Sequence, residues 1–154
     1  MRKTVVSAVL SAVLLSSAHA APVSARAPTP TPVWMTYQNG TKLQLAIDRA
    51  SFRWVDGGLL QFRHRETFAD QKTEPTLKVH YFVRTNTVVV DCANDRYALV
   101  SSDYLDRNGK LVWATTFPLP PHLWRFQAVE EGSMGASMLD IACQTVRHPA
   151  YKTE

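Results

Sequence analysis

Much of the chain alternates apolar and polar residues with a period of two, which is typical of β-strands that bury one face. In the run 59–68, one face carries Leu60, Phe62, His64, Glu66 and Phe68, and the other carries Gln61, Arg63, Arg65 and Thr67. β-Branched and aromatic residues are frequent in most of the other runs. Strands are predicted at residues 33–37, 42–47, 51–55, 59–68, 77–84, 87–92, 97–105 and 110–116.

Glycine-containing turns predict how neighbouring strands pair. Asn39-Gly40 favours a type I′ hairpin turn, because both of its residues tolerate positive φ. Asp56-Gly57-Gly58 and Asp106-Arg107-Asn108-Gly109 are two further turn signals. Turns of this kind between alternating strands predict an antiparallel meander. Residues 70–75 are expected to form a loop, and Thr85-Asn86 is a candidate bend.

The pattern changes near the C-terminus. Residues 133–146 have helical spacing, and Leu139, Ala142, Cys143 and Val146 fall on one apolar stripe. Gly132-Ser133 supplies a turn and an N-cap, and residues 124–129 form either a short edge strand or an irregular approach. The predicted fold class is therefore α+β, an antiparallel meander of about six strands with one C-terminal helix.

The N-terminal part has a different composition. Arg2 and Lys3 precede the apolar run 5–15 and the small-residue site Ala18-His19-Ala20, which predicts a secretory signal peptide at residues 1–20. The run is shorter than the roughly 20 residues of a spanning helix, so no transmembrane segment is expected, although an uncleaved anchor is the alternative. The rest divides into a Pro-rich tether at 21–32, a domain at 33–147 and a tail at 148–154.

Predicted export bears on the oxidation state of the two cysteines. In an oxidising compartment Cys92 and Cys143 are most simply one disulfide, which would join the helix to the end of a core strand. Two separate buried thiols and a metal site are the alternatives, although neither the cysteines nor the histidines have the usual ligand spacing. Asp91, beside Cys92, is expected to cap a turn.

Charge and motifs exclude several functions. The chain has 17 Lys and Arg against 13 Asp and Glu, and the predicted signal peptide holds two of the basic residues, so the remainder carries a net charge of +2. That excess is too small to predict a nucleic-acid partner. No phosphate-binding loop, nucleophile motif or zinc motif is present in the sequence, so no cofactor and no enzymatic activity are expected.

A set of motifs in order resembles the surface-adhesin protein E family of bacterial exported proteins. These are residues 89–97 with Asp91-Cys92, the hairpin around 102–110, Trp124, the step at 132–135 and Cys143. The resemblance covers residues 87–143 well and residues 33–70 loosely, through Trp34 and a meander. It implies a one-domain α+β fold with the C-terminal helix fastened by Cys92–Cys143.

The resemblance also implies a partner. Members of the family bind host extracellular-matrix and plasma proteins, so a non-catalytic module that binds a protein partner is expected. Adhesin members are commonly lipoproteins, whereas here no cysteine follows the apolar run. We therefore expect an exported protein that is not a lipoprotein. A periplasmic location is the expectation, with the cell surface or secretion as alternatives.

Candidate site residues come from the two faces of the predicted sheet. Arg53, Arg63 and Arg65 form a basic stripe suited to acidic partners, and Trp113 is a candidate for an exposed or partner-covered face, where a homodimer could form. A solvated polar face and ordinary core packing are the alternatives. His64 and Glu66 share a face, so a small periplasmic enzyme with this acid–base pair is the competing function, against a purely structural pair.

Overall fold

A computed structural model of the protein describes residues 30–115 and 118–147. The predicted signal peptide, residues 21–29 of the tether, residues 116–117 and the tail 148–154 lie outside the described residues. The strands are β1 (Trp34–Asn39), β2 (Leu43–Val55), β3 (Leu59–Glu74), β4 (Val79–Asp91), β5 (Arg96–Leu105), β6 (Leu111–Ala114) and β7 (Gln127–Ala128), and the helix is α1 (Met134–Arg147).

The strands form one sheet in chain order. Each strand from β1 to β6 pairs antiparallel with the next, and the two-residue β7 pairs with β5. In the turn between β5 and β6, the Asp106 Oδ1 accepts the amides of Asn108 at 2.8 Å and Lys110 at 2.9 Å. Gly109 follows with φ of 78°, a conformation that glycine adopts without strain. The predicted meander and fold class are confirmed.

The loop predicted at residues 70–75 is wrong. β3 continues to Glu74, and Lys72 and Thr73 pair with Tyr81 and His80 of β4. Residues 69–73 are exposed on both faces of the sheet, so the alternation that marks a half-buried strand is missing there. The register also shifts between Thr67 and Lys72, which the sequence does not reveal.

The bend predicted at Thr85-Asn86 is also wrong, because β4 runs unbroken through both residues. Asn86 is 1% exposed and faces His64 across the strands. Its side-chain amide donates to Glu66 at 3.1 Å, and its side-chain carbonyl accepts from the Ser102 hydroxyl at 2.8 Å. A polar residue that is rare in strands is accommodated here by partners on both neighbouring strands.

Helix α1 covers one face of the sheet, which we call the helix face. The core on this face includes Phe62 and Val88 from the strands and Leu139, Ala142 and Cys143 from the predicted helical stripe. The Ser133 hydroxyl accepts the amide of Ala136 at 3.1 Å, so the predicted N-cap is confirmed. Burial of this stripe is what holds a 14-residue helix against the sheet.

A disulfide fastens the same helix to the sheet. Cys92, directly after β4, is bonded to Cys143, and their Cα atoms are 5.9 Å apart, which confirms the predicted pairing. Asp91 caps the turn that follows: its Oδ1 accepts the amides of Ala93 and Asn94, and its Oδ2 accepts from Asn94 and Arg96. The bond from Asn94, together with that from Arg96, lowers the pKa of the Asp91 carboxyl.

The opposite face is partly covered by the chain between β6 and α1. We call residues 118–126 of this connection the strap. The amide of Leu119 donates to the carbonyl of Val100 at 3.0 Å, and the Arg96 guanidinium lies 4.8 Å from the ring centroid of Phe126. Trp124 donates its indole N–H to the Leu119 carbonyl at 2.8 Å, which closes the strap on itself. No helix in residues 30–115 and 118–147 has the length and apolarity that crossing a membrane would require.

Candidate functional site

The face opposite α1 carries the predicted basic stripe, and we call it the arginine face. Trp34 of β1 lies opposite Asp48 of β2, which lies opposite Arg63 of β3, so the three side chains form a row. Arg65 lies one row further along β3, and Arg53 of β2 lies beyond Arg63 in the other direction, opposite Gln61. The structure therefore brings the three predicted arginines onto one face.

Trp34 organises the centre of this face. The Arg65 guanidinium lies 4.2 Å from the centroid of the indole ring and the Arg63 guanidinium 5.5 Å from it. These are cation–π distances, and they hold two positive groups above one flat ring. Sequence reasoning singled out the arginines and missed this role of Trp34, because a single tryptophan near a predicted strand start has no periodicity to mark its face.

A buried carboxylate lies below these arginines. Asp48 is 2% exposed, and its Oδ1 accepts the amides of Val33 at 2.7 Å and Ala50 at 3.1 Å. Its Oδ2 is 3.9 Å from the Arg63 guanidinium. Burial, with the neighbouring charge of Arg63, lowers the pKa of Arg65. Asp48 acts on the Arg65 pKa in the opposite direction, and Arg65 forms no ion pair with an acidic side chain in the described ranges.

A groove separates this arginine face from the strap. Its floor includes Gln61, Thr87 and Ser101, and Leu119 and Trp124 of the strap form one wall. Arg53, one of the predicted residues, lies exposed at its margin. The cavity has a volume of about 820 Å³, within the roughly 300–1,000 Å³ that is usual for ligand clefts.

Trp113 lies away from the arginines. It pairs across strands with Tyr104, which in turn lies opposite Arg84 of β4 and so belongs to the helix-face side of the sheet. Its ring packs edge-on against Tyr104 with centroids 5.6 Å apart, and the residue is partly buried. Leu111, two residues earlier in β6, is 53% exposed. The structure therefore separates Trp113 from the basic stripe.

His64 and Glu66 lie in a polar cluster on the helix face. The His64 Nδ1 is 4.0 Å from the Glu66 carboxylate, too far for a hydrogen bond, while its Nε2 is 2.8 Å from the Tyr37 hydroxyl. Both Glu66 oxygens accept from Arg84, at 2.9 and 2.7 Å. Both oxygens of Glu66 thus accept from one guanidinium nitrogen, the Arg84 Nη2, and the His64–Glu66 pair lacks the direct contact that proton transfer would use.

Burial sets the ionisation of this cluster. It lowers the pKa of His64 to about 4, with the Arg84 charge acting in the same direction. The ring is therefore neutral at pH 7. An Nδ1-protonated tautomer lets its Nε2 accept a hydrogen bond from the Tyr37 hydroxyl. Burial raises the pKa of Tyr37. For Arg84 burial acts to lower the pKa, but Glu66 outweighs it and the pKa is raised. Within this cluster His64 is therefore neutral and Arg84 is charged.

The described residues offer no assembled metal centre: no group of three or more His, Cys, Asp or Glu lies close enough to hold an ion. Both cysteines are committed to the disulfide. The arginine face and its groove combine positive charge with a concave surface.

Comparison with known proteins gives one match. The model of the family described as surface-adhesin protein E matches residues 34–144, from the first residue of β1 into α1. No curated protein and no solved structure matches the chain significantly. The family and the disulfide together suggest an exported surface protein with an adhesin-like binding role. The chain belongs to the surface-adhesin protein E family.

Proposed function

We propose that this protein is a non-catalytic exported module that binds an acidic surface of a protein partner, with a host extracellular-matrix protein as the expected class. The observation that carries the proposal is the stacking of Arg63 and Arg65 on Trp34 in the middle of the arginine face. A flat aromatic ring with ordered guanidinium groups is the composition that protein interfaces favour.

The electrostatics of this surface support an acidic partner. Arg65 is partly buried and forms no ion pair with an acidic side chain in the described ranges, and Arg53 extends the positive surface on the same face. Because the ring already orders the guanidinium groups, less side-chain entropy is lost when a carboxylate binds to them. Oriented positive groups of this kind increase the association rate with acidic proteins.

The test is binding of the purified protein to a panel of immobilised matrix proteins. The variant Arg63→Gln/Arg65→Gln is expected to weaken saturable binding at least about tenfold, since it removes both stacked charges. The matched control Lys78→Gln/Lys110→Gln removes two positive charges from exposed turn residues and should bind as the parent does. Equal loss in both variants, or no saturable binding to any protein of the panel, would contradict the proposal.

The location and assembly of the protein belong to the same proposal. Cleavage of residues 1–20 and a periplasmic location of the mature chain are expected, and fractionation of the producing cell into periplasm, membranes and medium tests both. We further propose a homodimer, supported by the exposed Leu111 and Val112 of β6, the last strand of the meander. Light scattering at high micromolar concentration that shows only monomer would refute the homodimer.

A further inference from the structure

The groove between the arginine face and the strap has polar side chains that the protein itself does not use. The guanidinium of Arg53, the amide of Gln61 and the carboxylate of Asp103 all line it. No hydrogen bond or ion pair joins these three side chains to any other residue in the described ranges. They therefore keep their full hydrogen-bonding capacity for a ligand.

The floor adds hydroxyl groups between these side chains. The Ser101 hydroxyl donates to the Thr87 hydroxyl at 2.9 Å, which leaves the Thr87 proton free to donate in turn. The opposite wall is apolar and aromatic, with Leu119 and Trp124. The groove thus combines three kinds of group. These are planar polar groups that can each bind a ligand through two atoms, hydroxyl groups, and an indole ring.

The balance of charge in the groove restricts the class of ligand. Arg53 contributes a positive charge, while Asp103 and Asp56 contribute negative ones, so neither a polyanion nor a polycation is matched along its length. A purely apolar peptide would leave the buried parts of these polar groups without partners, which weakens binding strongly. The lining residues therefore favour a neutral ligand that carries many hydrogen-bond donors and acceptors and also an apolar surface.

A pyranose ring has this composition. Adjacent hydroxyl groups on the ring match the paired donors of a guanidinium, the two oxygens of a carboxylate and the donor and acceptor of an amide. The C–H groups on one side of the ring form an apolar, slightly positive surface, and the face of an indole ring is slightly negative. The volume of about 820 Å³ leaves room for more than one sugar ring.

We infer that the groove binds a short neutral oligosaccharide, with Trp124 beneath a sugar ring and with Asp103, Gln61 and Arg53 bonded to its hydroxyl groups. The saccharide is either free or attached to the protein partner, and in the second case the inference rests on the function proposed above. The groove would then recognise the glycan of that partner while Arg63 and Arg65 contact its polypeptide.

Calorimetric titration of the purified protein with maltotriose and chitotriose tests the inference. Saturable binding of at least one trisaccharide at up to millimolar concentration is expected, at least about tenfold weaker in Asp103→Asn and in Trp124→Leu. The Asp103 variant keeps the shape of the side chain, so it remains informative if the strap rearranges in the Trp124 variant. Trp54→Leu is the matched control, because Trp54 is 60% exposed and lies outside the groove.

The two sources of saccharide are distinguished by comparing native and enzymatically deglycosylated matrix glycoproteins. Tighter binding of the native form, reduced by Asp103→Asn, identifies an attached glycan, and equal binding together with trisaccharide binding identifies a free one. No binding of either trisaccharide, affinities unchanged in both groove variants, or a preference for heparin would overturn the inference. If trisaccharides fail while Arg63→Gln/Arg65→Gln still weakens protein binding, the inference fails and the proposed function stands.

Discussion

The two faces of the sheet treat charged residues in opposite ways. On the helix face, both Glu66 oxygens accept from the Arg84 Nη2, and His64 is neutral and bonded to Tyr37. On the arginine face, Arg53 is exposed at the margin of an open groove. Glu66 and His64 on the first face are bonded to neighbouring side chains, although the buried Arg84 Nε has no partner among the described residues, whereas Arg53 on the second face forms no hydrogen bond or ion pair there. We therefore expect substitutions on the first face to change mainly stability, and exposed substitutions on the second to change mainly the proposed binding.

The contrast arises within a single strand. Phe62 and His64 of β3 are buried on the helix face, while Arg63 and Arg65, which alternate with them, lie against Trp34 on the other face. Because successive side chains of a strand point to opposite faces, one stretch of sequence supplies both environments. Substitutions on the two faces should therefore separate folding from binding.

The largest expected effect comes from the attachment of α1 to the helix face. Replacing Cys143 with Ser opens a loop that spans 51 residues, and the free energy of unfolding should fall by about 4 kcal/mol in the chain-entropy description. Thermal unfolding of the variant, and of the parent with and without reductant, measures this loss. At a temperature where the variant is still folded, binding through the arginine face should be retained. An unchanged melting temperature would show that helix packing alone holds this face together.

The next effect depends on pH and arises from His64. The folded protein holds its pKa at about 4, below the ordinary value of 6.5, through burial and then the Arg84 charge. The unfolded chain therefore binds more protons between these values, so this stabilisation is complete above pH 6.5 and is lost as the pH falls towards 4. Urea unfolding across this range should show a decrease of about 3 kcal/mol from this residue.

Two histidine variants identify the source of that pH dependence. His64→Gln should flatten the decrease in unfolding free energy between pH 6.5 and 4, because no imidazole remains to be protonated in the unfolded chain. His122→Gln changes an exposed histidine outside the helix-face cluster and should keep the parent's slope. Equal slopes for the parent and His64→Gln would mean that groups other than His64 dominate the pH dependence.

A smaller loss is expected when one partner of the Glu66–Arg84 pair is removed. Arg84→Gln leaves the Glu66 carboxylate, which is 14% exposed, without its charged partner, and the hydrogen bond from Asn86 alone cannot compensate. The free energy of unfolding should fall by about 2 kcal/mol, since Arg84 itself is partly exposed. Chemical denaturation at pH 7 measures this change. A loss below about 0.5 kcal/mol would mean that the cluster is more hydrated than its geometry indicates.

Periodicity predicted the elements that bury one face. The stripe of Leu139, Ala142 and Cys143 placed α1, and the alternation at Phe62 and His64 placed β3 with the correct face inward. Periodicity failed where both faces are exposed, as in residues 69–73, and at Asn86, where cross-strand partners outweigh the low strand propensity. In each failure, contacts between distant segments decided the structure.

The candidate site was predictable only in part for the same reason. Alternation put Arg63 and Arg65 on one face, and the register confirms it. The stacking on Trp34 depends on the pairing of β1 with β2, and the groove depends on the strap folding back to Val100. Neither contact leaves a periodic signal, because each joins segments far apart in the chain. Trp113 is predicted on an exposed or partner-covered face, and the structure shows it partly buried against Tyr104.

The smallest expected effect compares Arg53 with Arg84 directly. Arg53→Gln changes an exposed arginine on the arginine face, where no described residue depends on its charge, so the free energy of unfolding should change by less than about 0.5 kcal/mol. The same exchange at Arg84 is expected to cost several times more. Because both variants exchange Arg for Gln, unfolding them under identical conditions compares the contribution of an arginine to the free energy of unfolding on the two faces. A loss at Arg53 as large as that at Arg84 would mean that the margin of the groove also supports the fold, and the separation of stability from binding would fail.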